Sequence, residues 1–334
     1  MDPLTQGVLG AALPQGTAAT KDFVAIAGIL GFLAGLSADL DVLIRSSSDP
    51  LLFLEYHRQF THSLIFIPVG GLLCALLLHP LLGKRRKLHF RQTLLFCSLG
   101  YATHALLDAC TSYGTMLFWP FSEVRIAWNT ISIIDPLFTL PMLVLIVWAS
   151  IKKRPVLSRF ALLWGFTYMG LGLWQRDQAM EMGYQIAMDR GHSPLRLEVK
   201  PSFANILVWK TVYETQSTFY VDAVRATLSP AVFPGSSLGK LNLARDLPWL
   251  DRDSQQARDI ERFKWFSDGY IALDPLHENR IIDIRYSMVP NQTMPLWSIE
   301  LSPKASANGH VSYRVHRETV GEPAAHLNAM IFGW

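Results

Sequence analysis

Five apolar runs, each close to the length that a helix needs to cross a lipid bilayer, constrain the fold of this chain more than any other feature. A membrane-spanning helix takes about 20 mainly apolar residues. The runs cover about Phe23 to Ile44, His62 to Leu82, Thr93 to Cys110, Ile131 to Ile151 and Leu157 to Trp174. We therefore predict an α-helical membrane bundle of about five transmembrane helices.

The last part of the chain has a different pattern. Beyond Trp174, charged residues are interspersed throughout, and short runs of β-branched and aromatic residues alternate with turn residues such as those of 234–237. The predicted strands are Ile206 to Tyr213, Phe219 to Ala226, Tyr270 to Leu273, Ile281 to Tyr286, Trp297 to Leu301 and Val311 to Val315. Helices are predicted over 177–189 and 254–265. We expect a membrane domain over residues 1–176 and a mainly β (α+β) soluble domain over 177–334.

Composition excludes several classes of function. Half of the residues are hydrophobic and 17% are charged, which is typical of a membrane protein with a soluble part. The net charge of +3 is too small to indicate a nucleic-acid partner. The three cysteines lie inside apolar runs without CxxC spacing, so neither a disulfide framework nor a thiolate zinc site is indicated.

Basic residues cluster in two loops between apolar runs. They are Lys84, Arg85, Arg86, Lys87 and Arg91 in one loop, and Lys152, Lys153, Arg154 and Arg159 in the other. By the positive-inside rule both loops are cytoplasmic. Alternation of the spans then places the C-terminal domain on the extracytoplasmic side.

The same alternation brings seven polar residues to the outer face of the bilayer, although nearly a hundred positions separate the first from the last. They are Asp39, Asp41, His57, His62, His104, Asp108 and Asp135. Such groups are costly near hydrocarbon unless they pair, face water or hold a metal. Asp and His together suit a hard or borderline divalent cation. We predict a metal site formed by the first six of these residues.

Each part of this constellation also has a simpler interpretation. His104 and Asp108 lie one helical turn apart and can reach one ion, or they can hydrogen-bond to each other inside a bundle. Asp39 and Asp41 can sit at a solvated helix terminus. The segment His57 to Ser63 can be an interfacial anchor.

Four further residues are candidates for general-base catalysis or for substrate binding. Asp135 and Glu123 are candidate general bases. Arg58 can hold an anionic group such as phosphate bidentately, or can pair with Glu55. Arg125 is a second candidate for substrate binding, and each of the loop residues can instead have no catalytic role.

Several segments together resemble the YdjM-like family of inner-membrane, metal-dependent hydrolases. They are Met1-Asp2-Pro3-Leu4-Thr5, Asp39-Leu-Asp41, His57-Arg58-x-x-Thr61-His62-Ser63, His104-x-x-Leu107-Asp108, Thr111-Ser112-Tyr113-Gly114 and Ile134-Asp135-Pro136. The resemblance implies a bacterial inner-membrane protein with a metal centre, and distant kinship to zinc-dependent phospholipases C. Gln6 stands where members usually have His, and Ala38 where they usually have Pro.

Three functions follow as hypotheses. The first is a hydrolase that uses water activated by one or two Zn²⁺ ions on a phosphoester or lipid-linked, amphiphilic substrate, with membrane lipids as partners. The second is a transporter, which the apolar second and fourth spans disfavour. The third is a non-catalytic scaffold or regulator whose metal holds the helices together.

Overall fold

The computed structural model describes residues 1–316 and 321–333, and the chain divides into two compact units. The first contains Met1–Leu43, Tyr56–Leu173 and Phe203–Asn205. The second contains Ile44–Glu55, Trp174–Ser202 and Ile206–Trp334. The segment Ile44–Glu55 therefore leaves the first unit between Asp41 and His57, two residues of the predicted site.

The first unit is a bundle of helices. Its helices are α1 (Pro3–Thr17), α2 (Val24–Ser37), α4 (Ile67–Leu78), α5 (Phe90–Cys110), α6 (Pro136–Lys152) and α7 (Pro155–Asp189). Helix α7 continues into the second unit, and the short α3 (Leu52–Tyr56) lies mostly in that unit. Within the described residues, four helical stretches are long and apolar enough to cross a membrane: Lys21–Leu43, Leu64–Arg86, Phe90–Cys110 and Pro155–Asp189. Together with the shorter α6, they confirm the five predicted apolar helices.

Helix α1 is a component that the apolar runs do not predict. Asp2 caps it by accepting a hydrogen bond from the Thr5 amide, and Pro3 begins it. Most of its residues are buried, and it packs on α2, α5 and α6. Glycine at position 10 is required, because a Cβ there would overlap the backbone of α2 at Gly31. The bundle thus has a helix in its interior before its first long span.

The helices α1 and α6 run side by side in the same direction. The Asp2 amide donates to the Ile133 carbonyl at one end, and Gln15 Nε2 lies 2.7 Å from Ser150 Oγ near the other. At this second end Lys153 Nζ lies 2.8 Å from Asp22 Oδ1, just before α2 begins. The basic loop after α6 and the start of α2 therefore share one end of the bundle, and the end of α2 that bears Asp39 is the opposite one.

The second unit contains two antiparallel four-stranded sheets, in the orders β1-β2-β3-β4 and β5-β6-β7-β8. The strands are β1 (Arg196–Pro201), β2 (Val208–Glu214), β3 (Thr218–Arg225), β4 (Ala231–Gly239), β5 (Ile271–Leu273), β6 (Arg280–Asp283), β7 (Trp297–Glu300) and β8 (Ser312–Val315). The helices of this part are α8 (Leu243–Asp246), α9 (Gln255–Phe266) and α10 (Gly321–Phe332). All six predicted strands are present, and α9 and the C-terminal half of α7 confirm the two predicted helices.

Two strands differ from the prediction. Strand β1 was not predicted, and the turn predicted at Pro234 to Ser237 lies inside β4. Strand β4 is the edge of its sheet, where a proline leaves no pairing donor missing. The register shifts opposite it between Val221 and Ala223, and the Gly235 amide donates instead to Asp222 Oδ1. The bulge therefore accommodates Pro234 and Gly235, a pair that is typical of turns, inside strand β4.

Candidate metal centre

Three chain segments bring five of the six predicted ligands to one end of the bundle. Beyond α2, a 3-10 turn over Ala38–Leu43 carries Asp39 and Asp41. A second 3-10 turn, Phe60–His62, ends at His62, and the last two turns of α5 carry His104 and Asp108. Because the tighter 3-10 turn replaces regular α-helix, both carboxylates of the first segment face the site.

Four side chains form what we call the enclosed group: Asp39, His62, His104 and Asp108. The Nε2 atoms of the two histidines are 3.0 Å apart. Asp39 Oδ1 lies 3.4 Å from each Nε2 atom. Asp108 Oδ2 lies 3.3 Å from His62 Nε2 and 3.8 Å from His104 Nε2. Four potential ligand atoms therefore converge on one point.

These distances fit a metal ion. Ligand atoms about 2.05 Å from a tetrahedral Zn²⁺ are about 3.4 Å from one another, which matches the spacing of the enclosed group. Asp108 Oδ2 is buried and, although Arg58 Nε lies 2.9 Å away, it makes no aligned hydrogen bond with any described residue. An unsatisfied buried carboxylate oxygen is costly, and a cation at this point would satisfy it. The donor set of two imidazoles and two carboxylates suits a borderline divalent cation.

The two histidines are held in the orientation that metal binding requires. Nδ1 of His104 lies 2.5 Å from the carbonyl oxygen of Gly35. Nδ1 of His62 lies 2.9 Å from Thr61 Oγ1 and 3.2 Å from Asp41 Oδ2. Oxygen partners at Nδ1 assign the proton to that nitrogen and leave Nε2 as the ligand atom. Gly35 and Thr61 thus support the site without entering it.

A second set, which we call the outer group, consists of Asp39, Asp41 and His57. His57 Nδ1 lies 2.8 Å from Asp41 Oδ1. Asp41 Oδ2 accepts hydrogen bonds from the Arg58 amide at 3.0 Å and the Thr61 hydroxyl at 2.8 Å. Burial lowers the pKa of His57, and the Asp41 carboxylate partly offsets this effect. Both groups contain Asp39, so all six predicted ligands meet in one place.

Arg58 is buried and lies beside Asp108 of the enclosed group. Its Nε is 2.9 Å from Asp108 Oδ2, although the two atoms are not aligned as a hydrogen bond. Its Nη1 donates to Thr111 Oγ1 at 3.2 Å, and its guanidinium stacks on Tyr113. Glu55, its alternative predicted partner, instead accepts from Arg262 Nε at 2.5 Å. Arg58 is therefore a buried counter-charge to Asp108.

The two predicted general bases lie outside both groups. Asp135 is buried, caps α6 by accepting from the Phe138 amide, and accepts the Tyr168 hydroxyl at 3.0 Å on each oxygen. Glu123 is exposed in the loop after α5. A catalytic role for either residue stays a prediction.

Helix α1, which lies outside the five apolar runs, adds two residues that contact the site. Gln6 Nε2 donates to Asp108 Oδ1 at 2.8 Å. Gln6, which stands where the family usually has His, therefore orients a predicted ligand. The amino group of Met1 also contacts Asp108 Oδ1. The sequence signal for this helix is the cap Asp2 followed by Pro3 at the first helical position.

The bundle and its polar end define a multi-pass helical membrane protein with a buried His–Asp cluster able to hold a metal ion. Comparison with protein families is more specific: the model of the YdjM inner membrane protein family matches residues 1–179. This chain therefore belongs to that family and is an inner-membrane protein, as the resemblance implied. The family is described in general terms as candidate metal-dependent hydrolases. No curated protein and no solved structure matches the chain.

Proposed function

We propose that this protein is a metal-dependent hydrolase that acts at the membrane surface on a phosphoester or lipid-linked substrate. The observation that carries the proposal is the convergence of Asp39, His62, His104 and Asp108, with one open side. His62, His104 and Asp108 are fully buried, whereas the Asp39 side chain is 26% exposed. A catalytic metal site keeps a position that water and substrate can reach, whereas a structural one is closed.

Zn²⁺ is the cation that this donor set favours. When bound, such an ion lowers the pKa of a coordinated water and polarises a carbonyl or phosphoryl oxygen. The protein contributes the geometry: two histidines oriented through Nδ1, two carboxylates, and Arg58 to compensate the charge of Asp108. Because the donors come from three rigid segments, the site is already arranged before a substrate arrives.

The exposed apolar residues of the loop after α5 support the proposal that the substrate is amphiphilic. The loop begins three residues beyond Asp108 and exposes several apolar side chains, with Phe121 83% and Val124 66% exposed. Trp128 in the same loop is also exposed. Aromatic residues concentrate at the interface between hydrocarbon and water. We infer that this loop contacts membrane lipid and that a lipid-borne substrate reaches the site from the bilayer surface.

The charge of the loops supports the orientation of the site. Both basic clusters lie in loops of the bundle that the positive-inside rule places in the cytoplasm. The site is at the other end of α2, and we therefore propose that it faces the extracytoplasmic side, together with the C-terminal domain. Accessibility of single cysteines introduced at Leu228 and Lys87, measured in spheroplasts with a membrane-impermeant thiol reagent, tests this orientation.

Hydrolysis by the purified protein is the direct test. We expect metal-loaded wild type to cleave members of a panel of phosphomonoesters, phosphodiesters and phospholipids in mixed micelles. His104→Ala should lose this activity, whereas His277→Ala, which changes an exposed histidine of the second unit, should keep it. Stoichiometric metal without hydrolysis of any panel member favours the scaffold or regulator; absence of metal after reloading contradicts the hydrolase.

A further inference from the structure

Asp39 is shared by two groups of potential ligands. The enclosed group combines it with His62, His104 and Asp108, and the outer group combines it with Asp41 and His57. Within each group, the potential ligand atoms lie within 4.8 Å of one another. The contacts of Asp39 with His62 and His104 go through Oδ1, so Oδ2 is the oxygen that can turn to the outer group.

The six side chains do not fit around a single small cation. Four donors already fill a tetrahedron, and the enclosed group supplies four. The coordination position that water and substrate can reach therefore belongs to the outer group. The ring of His57 lies 5.9 Å from the ring of His62, nearly perpendicular to it, and on the side of Tyr113. His57 therefore extends the site in another direction and does not complete the enclosed group.

From this arrangement we propose that the centre holds two divalent cations, with Asp39 bridging an inner cation in the enclosed group and an outer cation in the outer group. The inference rests on the proposed function and specifies its metal site. A carboxylate that belongs to both ligand sets is the usual link in sites that hold two cations, which lie about 3.5–4 Å apart.

The charges of the side chains are consistent with two cations and indicate the kind of substrate. Asp39, Asp41 and Asp108 are balanced by Arg58 and one divalent cation when the histidines are neutral ligands and the Met1 amino group, which contacts Asp108, is uncharged. A second divalent cation leaves excess positive charge on the open side, where Asp39 is 26% and His57 is 20% exposed. Opposite charges attract strongly where water is partly excluded. The centre would therefore bind an anionic group such as phosphate.

The two positions differ in their exposure to solvent. His62, His104 and Asp108 are buried, whereas the outer group includes the two partly exposed side chains of the site. The outer group also offers fewer ligands, so its cation binds more weakly. We expect loading in two steps, the inner position first.

A metal titration of the detergent-purified full chain tests this inference without an activity assay. Zn²⁺ uptake is measured by calorimetry and by elemental analysis after desalting, and Co²⁺ uptake by visible absorption. Wild type should take up about two cations per chain in two steps. His57→Ala should lose the weaker step, and His104→Ala the tighter step. Asp39→Asn should weaken both steps at least tenfold.

Controls keep the outcomes distinct. His277→Ala should titrate like wild type, and His57→Gln replaces His57→Ala if the alanine variant does not fold. Wild type that saturates with one cation, or His57→Ala that still takes up two, overturns the two-cation site and leaves the hydrolase proposal intact. Wild type that binds no cation overturns both.

Discussion

Gly31 of α2 and Gly100 of α5 lie in direct backbone contact where the two helices cross. A Cβ on Gly100 would overlap the carbonyl oxygen of Gly31. One helical turn further along each helix, the Gly35 carbonyl meets Nδ1 of His104. The glycine contact therefore sets the separation between the helix that leads to Asp39 and the helix that carries His104.

Gly100→Ala should therefore damage both packing and the site. The added methyl group would overlap the backbone of Gly31, so α2 and α5 must separate, at a cost of about 1–3 kcal/mol. We expect a lower Tm in detergent and metal affinity at least tenfold weaker. Gly170→Ala in α7 is the control, because a Cβ there meets nothing within 4 Å. Equal behaviour of the two variants would contradict the role of this crossing.

Thr61→Val should weaken metal binding while the helices stay packed. The Thr61 hydroxyl donates to Asp41 Oδ2 and lies 2.9 Å from His62 Nδ1, so its loss frees the imidazole to rotate. Removing such a supporting hydrogen bond costs about 10- to 100-fold in affinity. Thr61→Ser keeps the hydroxyl and should bind metal as wild type does. Calorimetric titration with Zn²⁺ distinguishes the three proteins.

Chelation should destabilise the membrane bundle. Without a cation, the carboxylates of Asp39, Asp41 and Asp108 remain close together around buried imidazoles. A ligand at 100 times its Kd stabilises the folded state by about 2.7 kcal/mol, so removal of the metal should lower Tm measurably. Restoring Zn²⁺ should restore it. The loss should be smaller in His104→Ala; an equal loss would mean that the chelator acts elsewhere.

The second unit should become more stable as pH rises above neutrality. Lys210 is buried, and its Nζ donates to Ser287 Oγ and to the Gln292 carbonyl. Burial lowers its pKa to about 7, against 10.5 for an ordinary lysine. Between these values the unfolded chain binds more protons than the folded one, so stability rises with pH by up to about 1.4 kcal/mol per unit. Below pH 7 the contribution of Lys210 to stability no longer changes with pH.

Thermal unfolding from pH 6.5 to 9.5 tests this pH dependence. Lys210→Met removes the titrating group and should flatten the curve relative to wild type. Lys264→Met, at an exposed position of α9, serves as the control and should leave the slope unchanged. Parallel curves for wild type and Lys210→Met would show that other groups produce the dependence.

Arg262→Ala should destabilise the second unit. The guanidinium pairs with Asp49 at 2.8 Å, with Glu55 at 2.5 Å and with Asp259 at 2.9 Å. These pairs are partly exposed, so the expected cost is about 1–2 kcal/mol, and high salt should reduce it. Arg258→Ala on the same helix should change Tm by less than a degree or two, because Arg258 pairs only locally in the described structure. Equal shifts would contradict the prediction.

Much of the site could be predicted from sequence, because the position of a residue along the membrane normal follows from its place in an apolar run. Asp39, His62 and His104 each stand at the end of an apolar run, and alternation of the runs places those ends on one side. The prediction that these three residues meet, which they do at 3.0–3.4 Å, needs only this shared position along the membrane normal. Catalytic roles for Asp135 and Glu123 could not be derived in this way, because the contact of Asp135 with Tyr168 depends on how α6 and α7 pack, and Glu123 lies in an exposed loop.

The remaining features depend on contacts that no local pattern records. Helix α1 contains Gln6 and Gln15 within 15 residues, so it is too short and too polar to be recognised as a span. Its burial follows from close glycine contacts with α2. Likewise, Pro234 and Gly235 suggest a turn, and only their position on an edge strand explains why they lie in β4.

The segment Ile44–Glu55, which belongs to the second unit, limits how the two units can be exchanged during evolution. The first unit, which carries the His–Asp cluster, and the second unit are interleaved along the sequence, because the stretch joining Asp41 to His57 belongs to the second unit. Arg262 is more than 200 positions away from the stretch it holds. A recombination event that exchanged the C-terminal domain would therefore also have to replace an internal insert near position 50, so the two parts are expected to be inherited together.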